Sequence, residues 1–577
     1  MGTRVRALLI AAVGFLVLIA LILRARSGQA PVPPPASLDQ DYSSADEDAV
    51  IEIEEMMIDV AAQLTRKAWG GVLHHVADDF EGTPLFRTAD GPSKVVAGVT
   101  LRSAGRDSRA VNRAGFREAL DGVDVDDVVF KFPAATLAGE TLTGRMKMDA
   151  KRERGTSASR WVVQGDVEFQ RRGGRWLLRR FQGIEVKTEE GARRFPDVTV
   201  PLGLPIAPGD DDRDRTSITF GRLFLGGIAA GDFDGDGLVD LFVPQTGQDL
   251  LFRNTGGKFV ECARDRGIIE ADAGAGALFL DYDNDGLLDL LVTNYEPEAL
   301  RDLKSNALRD NSGHRALALY RNTGGRFVDV TAKAGLTCRG PAMSPCAADV
   351  NGDGLLDLYV CMYKDDSVED PRFSEEVPSV VWAARDGVAN QLWINQGDGS
   401  FKEEAAARGV ADTGWGLAAS FCDYDADGKA DLYLANDYGE NRLFRNRGDG
   451  RFEDVTAKSA TGDAGFGMGV TWLDYDADGR MDLYVSNMYS TAGNRILARG
   501  PGRMSREQHS RLLKMASGNS LFRNRGDGTF EDVTAGMGVG RAGWAWSSAA
   551  YDFENSGVPH LYVANGFRTS SFATTDI

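Results

Sequence analysis

A chain of 577 residues with 43% hydrophobic content can bury more than one core, which excludes a disordered protein and favours two or three domains. Its formal charge of −20 opposes nonspecific attraction to nucleic acid or to an anionic membrane surface, so no nucleic-acid partner is expected and cations are the natural ones. Five cysteines, none in a CxxC pair, exclude a disulfide scaffold and a cysteine zinc site.

In chain order, the first element is a run of seventeen apolar residues, Ala7 to Leu23, with Arg4 and Arg6 before it and Arg24 and Arg26 after it. At 1.5 Å per residue it reaches roughly 26 Å, enough to cross a bilayer core, so residues 1–26 read as an uncleaved, single-pass membrane anchor. A cleaved signal peptide ending near Gly28-Gln29-Ala30 is the competing reading. The arginines are balanced across the run and leave orientation undecided. A Pro-rich, acidic linker, residues 27–48, follows.

Residues 49–194 read as a separate α+β domain. Helical spacing from Val50 to Phe80 (Ile53, Met57, Ala61, Leu64) predicts an amphipathic helix and a second helical segment over Trp69 to Val76, with a short helix near Phe116 to Leu120. Period-two alternation then predicts a strand over Thr141 to Asp149 and a hairpin of Trp161–Phe169 and Trp176–Val186 around Gly173-Gly174. Helices followed by a bent antiparallel sheet resemble the SnoaL-like cone fold. His74-His75 beside Asp78 and Asp79 is the one acid/base candidate there, weighed against a solvated helix face. Arg171, Arg172, Arg175, Arg179 and Arg180 read first as exposed strand faces and second as a dock for an acidic surface.

From residue 195 the chain repeats itself. Asp232, Asp234, Asp236 and Asp240 stand in DFDGDGLVD; Asp281, Asp283, Asp285 and Asp289 in DYDNDGLLD; Asp349, Asn351, Asp353 and Asp357 in DVNGDGLLD; Asp423, Asp425, Asp427 and Asp431 in DYDADGKAD; Asp474, Asp476, Asp478 and Asp482 in DYDADGRMD. Oxygen ligands at loop positions one, three, five and nine converge on one hard cation, and Gly at position six permits the turn that gathers them. Calcium suits six to eight oxygens in flexible geometry, so about five Ca2+ sites are expected. An EF-hand would need Glu at position twelve, whereas Val243, Val292, Val360, Leu434 and Val485 stand there, each in an apolar run that reads as a strand. A plain turn is the alternative for any single copy; nineteen carboxylates in five copies argue against it.

A Gly-aromatic pair precedes several loops (Gly414-Trp415, Gly465-Phe466, Gly543-Trp544), and the last of these leads into DFENSGVPH from Asp552, a degenerate sixth copy with Ser556 and His560 in place of carboxylates. After the loops come hairpin sequences such as LFRNTGGKF near Arg253, YRNTGGRFVDVT near Arg321, LWINQGDGSF near Asn395, and LFRNRGDG near Arg445 and Arg523.

On these motifs residues 195–577 resemble the FG-GAP and VCBS repeat proteins, which include integrin α-subunit propellers and cartilage-acidic-protein-like bacterial proteins. The resemblance implies a mainly β chain with a six-bladed β-propeller, seven if an insertion hides a blade, and calcium held by the aspartates named above. No ASPIC/UnbV segment is evident before Ile577. FPDVTVPLGL from Phe195 matches the end of a repeat, so it is expected to complete the last blade and join the two ends of the propeller.

First aspartates are spaced 49, 68, 74, 51 and 78 residues apart, so a unit of about fifty carries insertions. The longest, Asn487 to Asn519, holds a capping box, Ser505 and Gln508, ahead of a basic helix with Arg503, Arg506, Arg511 and Lys514. Cys338 and Cys346 are spaced for one disulfide; Cys262, Cys361 and Cys422 read as small core residues.

These features lead to a noncatalytic, extracytoplasmic binding or adhesion module that takes a protein or glycan partner through its insertions, with the N-terminal helix in the membrane. An envelope enzyme, with its site in the α+β domain or the propeller channel, is one alternative, although no GxSxG, HExxH or P-loop is present. A lectin is the other, with Trp382, Trp415 and Trp544 as aromatic candidates.

Overall fold

A computed structural model describes residues 44–86, 93–96, 99–105, 110–121, 123–154, 157–192, 202–204, 227–245, 247–269, 274–296, 299–301, 308–310, 315–364, 383–490, 493–494, 497–498, 500 and 504–565. The expected anchor and linker through residue 43, Phe195, Trp382 and Arg503 lie outside them. Among the described residues no helix is long and apolar enough to cross a membrane. The chain divides into two compact units.

The N-terminal unit opens with α1 (Ser44–Thr65), whose Ile53, Met57, Val60, Ala61 and Leu64 are buried at helical spacing. After α2 (Trp69–His74) the period changes, and Val76 to Phe80 belong to β1 (Val76–Gly82) instead of continuing a helix. The reason is tertiary: β1 lies parallel to β8 (Arg175–Ala192), and the amide of Leu178 donates to the carbonyl of His75 at 2.8 Å. Sheet pairing thus overrides the local pattern. Strands β2 (Ser93–Val96), β3 (Val99–Ala104), β4 (Val111–Asn112), β5 (Asp127–Ala138), β6 (Thr141–Arg154) and β7 (Ser157–Arg172) complete an eight-stranded sheet with spine β2-β3-β8-β7-β6-β5. Asn112 caps α3 (Arg113–Leu120) by accepting from the Gly115 amide at 3.0 Å. The β7–β8 hairpin turns at Gly173-Gly174, both at positive φ as expected of such a turn.

The core of this unit is apolar throughout, with Phe80, Phe116, Met146, Met148, Phe169 and Phe181 at its centre. Its fully buried polar residues, among those described, are Thr83 and Thr188.

The second unit is a series of antiparallel sheets whose third and fourth strands form the hairpins read from the sequence. One complete sheet runs Gly416–Cys422, Asp431–Asn436, Arg442–Asn446, Phe452–Asp454 in spatial order, and the Asp232 and Asp474 repeats build the same four-stranded sheet. The Asp281 and Asp349 repeats are joined where the end of one second strand, Tyr295 and Glu296, pairs with the start of the next first strand, Gly340 and Pro341. The Asp552 copy contributes two strands, Ala545–Tyr551 and His560–Asn565. First strands of successive sheets pack against one another, and a separate apolar cluster fills each junction between them.

All five cysteines are free thiols, which corrects the expected Cys338–Cys346 bridge. Cys338 sits in the apolar cluster between the Asp281 and Asp349 sheets, with its sulfur 3.8 Å from that of Met362, while Cys346 faces the next cluster along. The two thiols pack into different cores. The expected capping box is present: Ser505 accepts from the Gln508 amide and Gln508 returns the bond, starting the helix Arg506–Met515. Its apolar side, Leu512 and Met515, is buried, and Lys514 lies 3.4 Å from the buried Asp463.

Candidate metal centres

Each aspartate loop joins the first and second strands of its sheet. The position-one carboxylate gathers the loop's own amides: Asp232 accepts from Gly235, Asp236 and Gly237 at 2.8 to 3.1 Å, and Asp281, Asp349, Asp423 and Asp474 do the same for their loops. The position-six glycines have φ between +82° and +85°, the conformation that the motif reserves for glycine. Position four was not singled out from sequence, yet it is left-handed in every loop, and twice the residue is alanine, Ala426 and Ala477 at φ +58°. Such a residue costs roughly 1–2 kcal/mol, so the closed loop holds local strain.

The position-nine aspartates are fully buried at the head of the second strand. Asp289 accepts from the amide of Asn322 at 2.7 Å and from that of Tyr282 at 3.2 Å, tying loop to third strand. Burial pushes Asp289 and Asp431 up to about 7 and Asp357 up to about 6; Asp240 and Asp482 are raised for the same reason. Neighbouring carboxylates push in the same direction, and a cation among them would favour the ionised forms.

Four loops bring three carboxylates within 4.8 Å of one another: Asp232, Asp234 and Asp240; Asp281, Asp283 and Asp285; Asp423, Asp425 and Asp431; Asp474, Asp476 and Asp482. Asp236, Asp427, Asp478 and Asp289 stand outside these trios. The Asp349 loop forms none, because Asn351 replaces the position-three carboxylate and donates to Asp353 at 2.9 Å. One oxygen each of Asp234, Asp283, Asp425 and Asp476 is buried with no hydrogen-bond donor. Four orphaned oxygens at the same loop position fit a hard cation.

Two side chains of the LFRN sequence belong to these centres, although sequence reasoning had read it only as hairpin. Its arginine lays a guanidinium across positions three and five: Arg321 pairs with Asp283 at 2.6 Å and Asp285 at 2.9 Å, Arg445 with Asp425 and Asp427, Arg523 with Asp476 and Asp478, and Arg253 with Asp234 and Asp236. Ile394 takes this place in the Asp349 loop, where position three is the neutral Asn351. Cation and carboxylate are therefore lost together. The LFRN asparagine links neighbouring loops: Asn446 donates to Val350 O of the preceding loop at 2.8 Å and to Ala430 O of its own at 3.1 Å, as Asn322, Asn395 and Asn524 do in theirs. The recurring R-N pair was the signal that would have found both.

Arg445→Ala is expected to lower the melting temperature in chelator, because Asp425 loses its internal counter-ion and Asp427 keeps only Lys429. It is also expected to enlarge the calcium-induced rise in melting temperature, since the loop gains a full negative charge toward the metal. Paired melts in chelator and in calcium read both effects.

At the strand ends opposite the loops, Tyr295, Tyr363, Trp415, Tyr438 and Phe466 form a run of ring contacts with centroids 4.6 to 6.0 Å apart. Buried Asp437 accepts from the Tyr363 hydroxyl, and burial raises its carboxyl to about 7. The folded state therefore holds this proton more tightly than the unfolded chain. Its contribution to stability is full below about pH 4 and is lost, by a few kcal/mol, as pH rises through about 7. In saturating calcium, Asp437→Asn should flatten that fall in urea-unfolding free energy.

In the N-terminal unit the acid/base candidate lies on the surface. His75 pairs with Asp59 of α1 at 2.8 Å, His74 contacts Arg175, and Asp79 pairs with Arg172 and Arg179, which hold its carboxyl down at about 2. With an apolar interior beneath, the geometry is that of a surface ion-pair network. Trp415 is buried in the ring run, with its N–H on Asp386 at 3.1 Å, which is a packing role.

The FG-GAP-like repeat family model matches residues 232–292, 307–360, 378–434 and 423–485. Human and mouse cartilage acidic protein 1 are each 24% identical over 374 residues, 59% of this chain and 47% or 48% of theirs, so the chain spans about half the length of the curated relatives it matches. Among solved structures, an Agrocybe aegerita lectin described as recognising non-reducing terminal N-acetylglucosamine is 14% identical and covers 73% of this chain and 86% of its own, at TM-score 0.29. A ketosteroid isomerase-like protein from Erwinia carotovora atroseptica is 13% identical, covers 23% of this chain and 93% of its own, at TM-score 0.18. Both TM-scores are too low to bear on fold or function.

Proposed function

The chain is an FG-GAP repeat protein, and from that premise we propose that it is a noncatalytic, calcium-loaded binding or adhesion module working outside the cytoplasm, anchored through residues 1–26. The observation that carries the calcium reading is the set of four buried position-three oxygens that lack a donor, each beside two further carboxylates. Extracytoplasmic calcium would fill even weak sites, of Kd roughly 10⁻⁴–10⁻³ M, so setting and metal chemistry agree. Insertions between second and third strands would then present fixed contacts to a protein or glycan partner. The apolar interior of the N-terminal unit supports the noncatalytic reading.

The ring of sheets is proposed to close as six blades. Gly267, Gly335 and Gly409 each approach the carbonyl of the hairpin phenylalanine in the following repeat (Phe327, Phe401, Phe452), and Gly203 approaches that of Phe259 in the same way. Gly538, the last of the series, meets nothing within 4 Å among the described residues. Phe195 is the one repeat-ending phenylalanine left over in the sequence.

Isothermal calorimetry of the protein titrated with calcium tests the reading. About five sites are expected; heat-silent titration together with a melt that calcium leaves unmoved would reduce the loops to turns.

A further inference from the structure

The five repeats act as internal controls for one another, and the junction between the first two departs from the rest. A cavity of about 540 Å³ opens there, lined by Arg253, Arg266 and Arg326 together with Thr255, Cys262 and Asp265. Its volume lies in the range of small-molecule sites. Where Cys262 stands, the later repeats carry Val330, Glu404, Val455 and Val533; where Arg266 stands, they carry Ala334, Arg408, Ser459 and Met537. The one other arginine in that series, Arg408, is neutralised by Glu404 at 2.9 Å, and Glu404 also takes Lys402. At the first junction the corresponding residue is the uncharged Cys262, whose thiol burial pushes up. The change from glutamate to thiol leaves the positive charge in place.

The contacts of the three guanidiniums point the same way. Arg266 donates to the carbonyl of Gly325 at 2.9 Å and stacks over the Phe233 ring at 5.6 Å; Arg326 donates to the carbonyl of Asp265 at 3.1 Å. Carbonyl and ring are neutral partners, so these contacts orient the two cations without cancelling them. Arg253 spends Nε and one terminal nitrogen on Asp234 and Asp236. Asp265 is the single carboxylate in the lining.

We infer that this junction is a binding site for a small oxyanion, a carboxylate, sulfate or phosphate, free or carried at the end of a larger molecule. Guanidinium groups bind such planar or tetrahedral oxyanions through paired N–H donors. On a chain of formal charge −20 the long-range field repels anions, so saturable uptake requires a local site of this kind. The pocket shares only Arg253 with the calcium loops, so its failure would leave the metal sites intact.

The test is NMR or calorimetric titration of the full chain, in saturating calcium, with sulfate, inorganic phosphate and glucuronate in turn, on wild type, Arg326→Ala and Arg451→Ala. Arg451 precedes the hairpin phenylalanine of its repeat just as Arg326 does and is 70% exposed, so it controls for loss of one charge. Saturable binding of at least one probe, weakened about tenfold or more by Arg326→Ala and unchanged by Arg451→Ala, is the expected result; the preferred probe separates the carboxylate, sulfate and phosphate sources. Equal weakening by both variants would show a general charge effect and overturn the site, as would absence of saturable binding to wild type by all three anions. A native calcium-dependent melt for Arg326→Ala confirms that the variant is folded.

Discussion

Stripping calcium with a chelator is expected to lower the melting temperature of the repeat unit by on the order of 10–20 °C. Each site contributes RT ln(1 + [Ca]/Kd), about 1.8 kcal/mol at twenty times Kd, so five sites together supply roughly 9 kcal/mol. The structure explains why the apo loops are vulnerable. Burial and like charges raise the position-nine carboxyls, four position-three oxygens lie buried without a donor, and two alanines are held left-handed at position four. A cation answers the first two demands together. Differential scanning calorimetry in calcium and in chelator checks the shift, and a change below about 2 °C would remove the metal from the account of stability.

Asp289→Ala is expected to be the most damaging single substitution in its loop, costing roughly 2–5 kcal/mol even without calcium. It deletes the acceptor for two buried amides, those of Asn322 and Tyr282, and each orphaned donor costs about 1–3 kcal/mol. Asp285→Ala removes another candidate ligand, yet its carboxylate lies in an exposed turn, where it accepts from Leu287 and pairs with Arg321. Asp285 belongs to the converging trio and Asp289 stands outside it, so Asp285→Ala should lose the more calcium affinity, whereas in chelator only Asp289→Ala melts early. Urea unfolding of both in chelator gives the comparison, and equal midpoints would show that position nine has no structural role.

The repeat was legible because its signal was redundant. Five copies of an aspartate loop, each with glycine at position six and an apolar run after position nine, specify loop, turn and strand by local chemistry, and the structure has them at those positions. The capping box at Ser505 is local in the same sense. What was missed crosses between segments. Arg445 lies 20 residues from Asp425, and Asn446 lies 96 residues from Val350. No local period records such pairs. The strand at Val76 and the free thiols of Cys338 and Cys346 were misread for the same reason, since β8 and two separate apolar clusters, all remote in sequence, decide them.

By itself, then, the sequence determined where the carboxylates stand, how each loop turns and that strands follow, because these depend on residues within one loop length of each other. The tertiary structure decided which carboxylates converge and which are neutralised by an arginine. It also decided that the histidine pair lies on a surface above an apolar core, and that among the described residues the first repeat junction keeps a positive charge that the junction at Arg408 loses to Glu404. Those outcomes depend on burial and on partners brought together from distant parts of the chain, and both arise only when the sheets pack.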